Sequence, residues 1–195
     1  TPYKDEAGNP LYTRKVTTSF SVDDLVAGVQ NVTSIENSEK KGKVTDGPVT
    51  SFEEHGWKKG LENGGLVLGV SKQFTYETDD NNISVKVNAR DNSNNDASEF
   101  TLKTFSIDMT KPVVNIQFRE DDDSDLYYSA DRIADIRIKE RNFDANRMNA
   151  IITNTFGAVP SVGYTKLSKD EYVATITFGE GDYTFDYNGT DRANH

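Results

Sequence analysis

The chain has 195 residues, no cysteine and a net charge of −10, from 22 basic and 32 acidic side chains. This length suits two domains of ordinary size, and the acidity excludes a nucleic-acid-binding protein, because phosphate binding needs a basic face. No run is apolar enough for a transmembrane helix, so no membrane insertion is expected, and ten Phe with nine Tyr favour strands over helices.

The first half of the chain is predicted to form strands separated by turns. Its alternating or apolar runs are, in order, VTTSFSVDD, VQNVTSI, LVLGV, KQFTYE, ISVKVNA and SEFTLKTFSID. Residues 36–65 are rich in Lys, Glu, Gly and Asn and do not alternate, which predicts a long insertion near 36–65. Residues 1–15 are interpreted as the tail of a preceding module. The first predicted domain, a β-sandwich, spans residues 1–110.

The second half shows clearer strand patterns. Pro112 interrupts the chain before VVNIQF, and ADIRIKE then places Ile136 and Ile138 on one face of a strand. MNAIIT, EYVATITF and YTFDYNG add further strands with no helical period, which predicts an antiparallel sandwich over residues 111–195. Its closing strand would follow His195, so one sheet edge is expected to be open. A monomer is expected, and pairing of that edge with another chain is the alternative.

Two segments of the chain match at an offset of 100 residues. Residues 83–95 read ISVKVNARDNSNN and residues 183–195 read YTFDYNGTDRANH, so each alternating strand ends in an Asp, a small residue and an Asn. A fainter copy of the turn, DEAGN, lies at residues 5–9. Repetition argues for two copies of one β module, and each Asp is predicted to accept hydrogen bonds from nearby amides. The residue three positions after each Asp is predicted to be left-handed: Gly8, Asn94 and Asn194.

These residues resemble the bacterial immunoglobulin-like (Ig-like) modules that occur in tandem in Gram-positive surface proteins. Such modules end a strand in an Asp-x-Ala-Gly-Asn turn, which is similar to DEAGN, DNSNN and DRANH in this chain. They open the next copy with Asp-x-Thr-x-Pro, which Asp108, Thr110 and Pro112 match. The similarity is good over residues 83–195 and weak over 24–82. It implies an all-β fold of two tandem immunoglobulin-like antiparallel β-sandwiches.

The same resemblance implies an extracellular location, on the surface or in the cell wall of a bacterium, and brings no catalytic residues. The function it favours is a non-enzymatic module that acts as a stalk, a spacer or an adhesin. Two alternatives stay open: a module that binds a carbohydrate or a host protein, and an accessory domain of a larger secreted hydrolase. The expected partner is a host or cell-wall protein or a glycan.

The sequence does not predict an enzyme. It has two histidines, His55 and His195, and lacks a nucleophile elbow, a phosphate loop and a His-Glu-x-x-His helix. Carboxylate pairs are plentiful, but glycoside hydrolysis needs two at a set separation in a cleft, which small sandwich domains rarely provide. No catalytic residue and no cofactor other than calcium is therefore expected.

Calcium is the candidate metal, because runs of carboxylate and amide oxygens are the ligands that it prefers. The acidic turn EDDDSD supplies the candidate ligands, and neither it nor DNSNND has the spacing of an EF-hand loop. The alternative is a solvated acidic turn without a metal. The candidate calcium ligands are Asp121, Asp122, Asp123 and Asp125.

Three aromatic residues are the candidates for ligand binding, because exposed aromatic rings form stacking platforms for sugars. Trp57 lies in the predicted insertion, in HGWKKG, where an aromatic side chain has less reason to be part of a core. Tyr127 and Tyr128 follow the acidic turn. The alternative for Trp57 is local packing, and this reading is favoured over the ligand-binding one.

Overall fold

The computed structural model describes residues 3–119 and 130–195 of the chain. The chain divides into two compact units, Thr1–Met109 (unit 1) and Thr110–His195 (unit 2). This division lies one residue before the domain boundary expected from the sequence. Each unit has an apolar core of its own.

Unit 1 is built from short strands, with a single-turn 3₁₀ helix at Phe52–His55 in the described residues. Its strands are β1 (Tyr3–Lys4), β2 (Pro10–Tyr12), β3 (Val16–Asp23), β4 (Val29–Ser38), β5 (Gly42–Val49), β6 (Lys58–Lys59), β7 (Glu62–Asn63), β8 (Leu66–Val67), β9 (Gly69–Tyr76), β10 (Asp80–Asp91), β11 (Phe100–Thr101) and β12 (Phe105–Ile107).

Two sheets make the sandwich of unit 1. Within the described residues, the larger sheet has the order β1-β2-β12-β10-β4-β5, with β11 also paired to β10, and the smaller has the order β3-β9-β6. Neighbouring strands are antiparallel except β2 and β12, which are parallel. The order β12-β10-β4-β5 is that of strands G, F, C and C′ of an immunoglobulin sandwich, and β3-β9-β6 is that of B, E and D.

Unit 2 repeats this plan with fewer described strands. They are β13 (Val113–Phe118), β14 (Arg132–Lys139), β15 (Met148–Asn154), β16 (Thr165–Lys166), β17 (Glu171–Phe178) and β18 (Tyr183–Gly189), with one 3₁₀ turn at Ala145–Arg147. The order β13-β14-β17-β16 is that of strands A, B, E and D, and β15 pairs with β18 as C pairs with F. The predicted fold class, all-β with two Ig-like antiparallel β-sandwiches in succession, is confirmed.

The period-two alternation read from the sequence decides which side chains fill the cores. A fully buried aliphatic side chain stabilises its unit by roughly 1.5–3 kcal/mol. Polar residues alternate with such side chains and lie on the outer face. The large aliphatic residues buried on β10 and β14 are Ile83, Val85, Val87, Ile136 and Ile138.

Residues 36–65, predicted as a long insertion, contribute a strand to the larger sheet of unit 1. β5 pairs with β4 from Val32↔Val49 to Ser38↔Gly42 and forms the edge of that sheet. Six of its eight residues are exposed. An edge strand with exposed residues on both faces needs no alternating apolar side chains, so its sequence resembles a loop.

Residues 3–15 also belong to unit 1, although the sequence suggested the tail of a preceding module. Asp5 is only 3 % exposed, and its carboxylate accepts a 2.6 Å hydrogen bond from Ser106 Oγ in β12. β2 continues this contact by pairing with β12, where Leu11 lies opposite Ser106. The N-terminal turn is therefore part of the packed structure of unit 1.

The three predicted turns have the same hydrogen-bond geometry. In each, one carboxylate oxygen of the Asp accepts the backbone N–H four residues later, at 2.8, 2.8 and 3.0 Å. The other oxygen contacts that residue's side chain, at 3.1, 2.7 and 3.1 Å. The residue three positions after the Asp is left-handed each time, as the sequence predicts: Gly8 (φ 83°), Asn94 (φ 67°) and Asn194 (φ 68°).

Replacing Asn94 by valine should destabilise unit 1 by about 1–2 kcal/mol, because a β-branched side chain is strained at positive φ. Asn94→Gly is the matched control and should be neutral or slightly stabilising, since glycine adopts this conformation freely. Chemical denaturation followed by circular dichroism measures both. Equal stability of the two variants would show that the left-handed turn is dispensable.

The outer face of unit 2 carries a carboxylate with an unusually low pKa. Asp135 in β14 accepts two hydrogen bonds from the Arg119 guanidinium, at 2.8 and 2.9 Å, and one from Thr175 Oγ1 at 2.8 Å. The hydrogen bond from Arg119 is the main cause that lowers the pKa of Asp135 from 3.8 to about 2. The side chain is at the surface, so solvent screening limits its effect on stability.

A carboxyl group whose pKa is lower in the folded state stabilises the fold above its unfolded pKa. The contribution of Asp135 should therefore be complete above about pH 4 and lost as the pH falls towards 2. An NMR titration should give a midpoint near 2 for Asp135, and Arg119→Gln should move it towards 3.8. An Asp135 titration midpoint that stays near 2 in Arg119→Gln would contradict this ion pair.

Candidate functional site

The residues singled out from the sequence fall into two groups. The calcium candidates Asp121, Asp122, Asp123 and Asp125 and the aromatic candidates Tyr127 and Tyr128 lie outside the described residues, so they stay predictions. Trp57 is described, and its side chain is fully buried in the core of unit 1. Burial agrees with the favoured reading of local packing and corrects the ligand-binding one, because an indole with no exposed face cannot stack on a sugar.

The local chain path explains why Trp57 is buried. The 3₁₀ helix Phe52–His55 ends at Gly56, which is left-handed. The backbone N–H of Trp57 donates a hydrogen bond to the carbonyl of Phe52 at 2.9 Å. This turn directs the indole onto the smaller sheet, where it meets the Phe74 ring edge-on at 6.5 Å. Phe52 is itself 4 % exposed, so the side chain at the start of the 3₁₀ helix packs into the same core.

A cluster of three ionisable groups covers Trp57 from the solvent side. Lys72 Nζ lies 5.8 Å from the Trp57 ring centre and 3.3 Å from Asp46 Oδ2, and His55 Nδ1 lies 2.7 Å from Asp46 Oδ1. Burial raises the pKa of Asp46, but the hydrogen bonds from His55 and Lys72 outweigh it and the net shift is downward. Asp46 is thus a carboxylate that holds a lysine over an aromatic ring, which is a packing role.

A cleft of about 200 Å³ lies at the end of unit 1 where β3 and β10 finish. Its walls come from the end of β3, the start of β4, the end of β10 and residues 95–97. Four carboxylates and one guanidinium line it: Asp23, Asp24, Asp91, Asp96 and Arg90. The cleft is smaller than the 300–1,000 Å³ of ordinary small-molecule sites, so it suits a single side chain or ion better than a whole ligand.

One wall of the cleft is the loop between β3 and β4. Asp24 Oδ1 accepts the backbone N–H groups of Val26, Ala27 and Gly28 at 2.9, 2.8 and 3.3 Å. Gly28 has φ 75°, and a Cβ there would approach Leu66 to 2.7 Å, so the position requires glycine. The compact loop leaves its tip outside, with Leu25 69 % and Val26 92 % exposed.

The opposite wall is the Asp91 turn. Asp91 accepts hydrogen bonds from Ser93 N, Asn95 N and Asn95 Nδ2 at 2.8, 2.8 and 2.7 Å. Asn92 joins the two walls, because its N–H reaches the carbonyl of Gly28 at 3.1 Å and its Nδ2 reaches that of Ala27 at 2.9 Å. The two loops therefore hold each other in place.

Hydrogen bonds lower the pKa values of three carboxylates of the cleft. Backbone N–H groups of its own loop hold the pKa of Asp24 below the usual range. The side chain and backbone of Asn95 lower the pKa of Asp91, and the nearby charge of Asp24 opposes this. Arg90 lowers the pKa of Asp96 through a two-pronged pair at 2.7 and 3.0 Å. All three are negative at neutral pH.

This arrangement suits electrostatic contact better than catalysis or tight cation binding. Most carboxylate oxygens of the cleft already accept hydrogen bonds from the protein, so few remain to replace the hydration shell of a metal. The lining contains no histidine, serine, threonine, cysteine or lysine. What it offers is a fixed negative surface beside two exposed apolar side chains, Leu25 and Val26.

Sequence reasoning missed this cleft, although it identified the Asp91 turn that forms one wall. The signal that was available is Asp24 followed four residues later by Gly28, which is the pattern of a loop closed by a carboxylate. The pairing of this loop with residues 91–97 depends on the sandwich topology, which brings the connection after strand B next to the one after strand F.

Comparisons with known proteins do not identify a family or a function for this chain. No family model matches the chain, and no curated protein matches it significantly. Among solved structures 74 chains match; one is the crystal structure of a chicken TCR, aligned over 92 % of this chain and 89 % of that chain. The identity is 6 % and the TM-score 0.32. A likeness this weak says nothing about function, so the fold assignment rests on the strand order.

A search for membrane-spanning helices in the described part of the chain gives no candidate, since no helix there has the necessary length and apolar character.

Proposed function

We propose that the chain is a non-enzymatic, extracellular pair of Ig-like modules from a bacterial surface protein, which acts as a spacer or an adhesin. The observation that carries the proposal is the recurrence of one hydrogen-bonded Asp turn at the same strand end of both sandwiches. This recurrence supports the resemblance to tandem bacterial modules, because their characteristic turn also lies at the end of a strand.

The physical character of the two units suits a spacer. Each has a separate apolar core, so each can resist unfolding by itself. No cysteine is present, so stability must come from the cores and from hydrogen-bonded turns. The acidity of the chain favours solubility at high local density on a surface.

Surface location is tested by labelling intact cells of the source bacterium with antibodies raised against the chain. We expect labelling without permeabilisation, while a cytoplasmic marker protein stays unlabelled in the same cells. Labelling that needs permeabilised cells would contradict the proposal.

A spacer role is tested by stretching the chain between its ends in a single-molecule experiment. Two unfolding steps are expected, with contour lengths of up to about 370 Å for Thr1–Met109 and about 290 Å for Thr110–His195. One joint step, or extension without a force peak, would contradict a spacer made of two modules.

The cleft of unit 1 favours one alternative, a module that binds a protein partner. Leu25 and Val26 project beside four carboxylates at the end of the sandwich where variable domains of the immunoglobulin fold carry binding loops. With Trp57 buried, a carbohydrate site would depend on Tyr127 and Tyr128. The test is binding to arrays of host proteins and of glycans, with Leu25→Ser as the variant. If the unmodified chain binds a host protein on the array and Leu25→Ser does not, this alternative is favoured over a spacer.

A further inference from the structure

The strand β15 of unit 2 has one paired side and one unpaired side. At one end of its pairing with β18, Thr190 N donates a hydrogen bond to Arg147 O at 3.2 Å. At the other end Thr155 N donates one to Asp182 O at 3.1 Å, so the odd-numbered positions of this segment face β18. By alternation, the even-numbered residues of β15 direct their backbone N–H and C=O groups to the opposite side. Among the described residues, β18 is the one strand that pairs with β15.

The part of the chain that could cover this side is present in unit 2 but does not pair with it. In unit 1 the equivalent strand, β4, has β5 on this side, and only residues 39–41 connect the two. In unit 2 the residues after β15 run through Gly157 and Pro160 to β16, which pairs with β17. Within the described ranges no backbone hydrogen bond joins residues 157–164 to β15. β15 is therefore an edge strand because of the path that the chain takes after it.

The segment that begins with β15 is also the longest uncharged stretch of the sequence. No acidic or basic side chain occurs between Arg147 and Lys166, although 28 % of all residues are charged. The edge strand β5 of unit 1 differs, because it contains Lys43, Asp46 and Pro48, which are typical of edges protected against pairing with another chain. β15 has neither a charge nor a proline, and depletion of charge distinguishes the core of a protein interface.

Apolar side chains are exposed along the same segment. Ile151 lies on the outer face of the sheet and is 43 % exposed, and Phe156, two residues beyond the end of β15, is 78 % exposed. Val159 is 51 % exposed. The neighbours of Ile151 on the outer face of β15, Asn149 and Thr153, are polar but neutral. An uncharged edge strand with exposed apolar side chains is a ready template for another strand.

We propose that the open edge of β15 pairs with the same edge of a second copy of this chain, which gives a twofold-symmetric dimer in place of the monomer expected from the sequence. The two strands run antiparallel and are centred on Ile151, so the pairing uses the whole of β15, Met148–Asn154. The two β15–β18 sheets then form one continuous sheet. In a twofold dimer the same surface serves both copies, so it must be complementary to itself.

This register fits the backbone groups and the side chains of both copies. Ala150 lies opposite Ile152 of the other copy, and Met148 likewise lies opposite Asn154. All four direct backbone groups to the open side, so they form hydrogen-bonded pairs across the dimer. On the outer face the two Ile151 side chains lie directly opposite each other at a pair without such bonds, where side chains approach most closely. Cross-strand contacts of this kind stabilise a sheet.

A second copy suits this edge because β15 carries no charge. A twofold axis places the central residue of the strand against its own copy, so a charged residue there would face a like charge, which is destabilising. β15 has Ile151 at this place. Antiparallel pairing also sets Phe156 of each copy beside the start of the other copy's β15. One contact therefore covers the exposed apolar side chains Ile151 and Phe156.

The test measures the mass of the full chain in solution by sedimentation equilibrium over a range of concentrations. We expect a reversible equilibrium between monomer and dimer. Ala150→Pro removes an N–H group from the open side and keeps the hydrogen bonds to β18, so it should weaken dimerisation about tenfold. Ile151→Lys sets two like charges face to face and should have a similar effect. Asp186 lies opposite Ile151 on β18 and gives the new lysine a counter-ion within its own unit, so the fold should be retained.

Thr184→Lys is the matched control for charge. It adds the same charge on the same face of the sheet, but on β18, one strand away from the open edge. The dimer should be unchanged in this variant. Circular dichroism checks that each variant is folded. If Ala150→Pro does not fold, Ile151→Lys and its control decide the question alone.

Hydrogen exchange identifies the edge that is used. The amides of Ala150 and Ile152 should exchange more slowly as the protein concentration rises, whereas the amide of Ile151, which already faces β18, should not change. A chain that stays monomeric at high concentration, a dimer that folded Ile151→Lys leaves intact, or protection confined to another strand would overturn the proposal. The spacer role does not depend on this dimer, so the stretching experiment can succeed where this one fails.

Discussion

The variant Trp57→Ala should lose about 3–5 kcal/mol of unfolding free energy in unit 1, because it removes a fully buried indole and leaves a cavity. The cavity would lie against Phe74 and would also remove the ring over which Lys72 is held. Trp57 is the one tryptophan in the chain, so fluorescence would lose its probe. Denaturation followed by circular dichroism and hydrogen exchange in β9 are the suitable measurements.

The matched control is Val26→Ala, which shortens a side chain that is 92 % exposed and should change stability by less than about 0.5 kcal/mol. A carbohydrate signal that disappears in Trp57→Ala while unit 1 keeps its full stability would contradict the core position of the indole. If stability and binding disappear together, the loss of binding reports unfolding and says nothing about direct contact with a ligand.

The strands with one apolar face could be predicted from the sequence because burial on a single side leaves a period of two. β10, β14 and β17 have this pattern, and the alternate apolar residues of each are buried. The shared Asp turns could also be predicted, since a carboxylate followed by a left-handed Gly or Asn is a local signal. Neither inference required knowledge of which strands are neighbours.

The features that the sequence did not predict depend on contacts between residues far apart in the chain. β5 lies at a sheet edge with both faces largely exposed, so no alternation marks it. A packing role for Trp57 was favoured from the sequence, but the 3₁₀ turn and the pairing of β6 with β9 that place it in the core leave no local pattern. The cleft of unit 1 joins residues 24–28 to residues 91–97, and that contact arises only once the two sheets pack.

The same Asp turn should contribute unequally to stability at its two places in unit 1. Asp5 is 3 % exposed and accepts hydrogen bonds from Asn9 N, Asn9 Nδ2 and Ser106 Oγ. Asp5→Ala leaves the buried Ser106 hydroxyl and the partly buried backbone N–H of Asn9 without this acceptor, and it should cost about 3 kcal/mol. Asp91→Ala should cost clearly less, because water can reach the donors that it leaves behind. Denaturation of both variants under the same conditions measures the difference.

Asp5→Asn is the matched control for shape, since its amide oxygen can still accept one of these hydrogen bonds, and it should recover part of the loss. Ser106→Ala separates the long-range contact from the turn itself: combined with Asp5→Ala, it should cost less than the sum of the two single changes, because both remove the same hydrogen bond. Strict additivity would mean that Asp5 stabilises its own turn alone. Equal losses for Asp5→Ala and Asp91→Ala would show that burial of the N-terminal turn against β12 adds nothing.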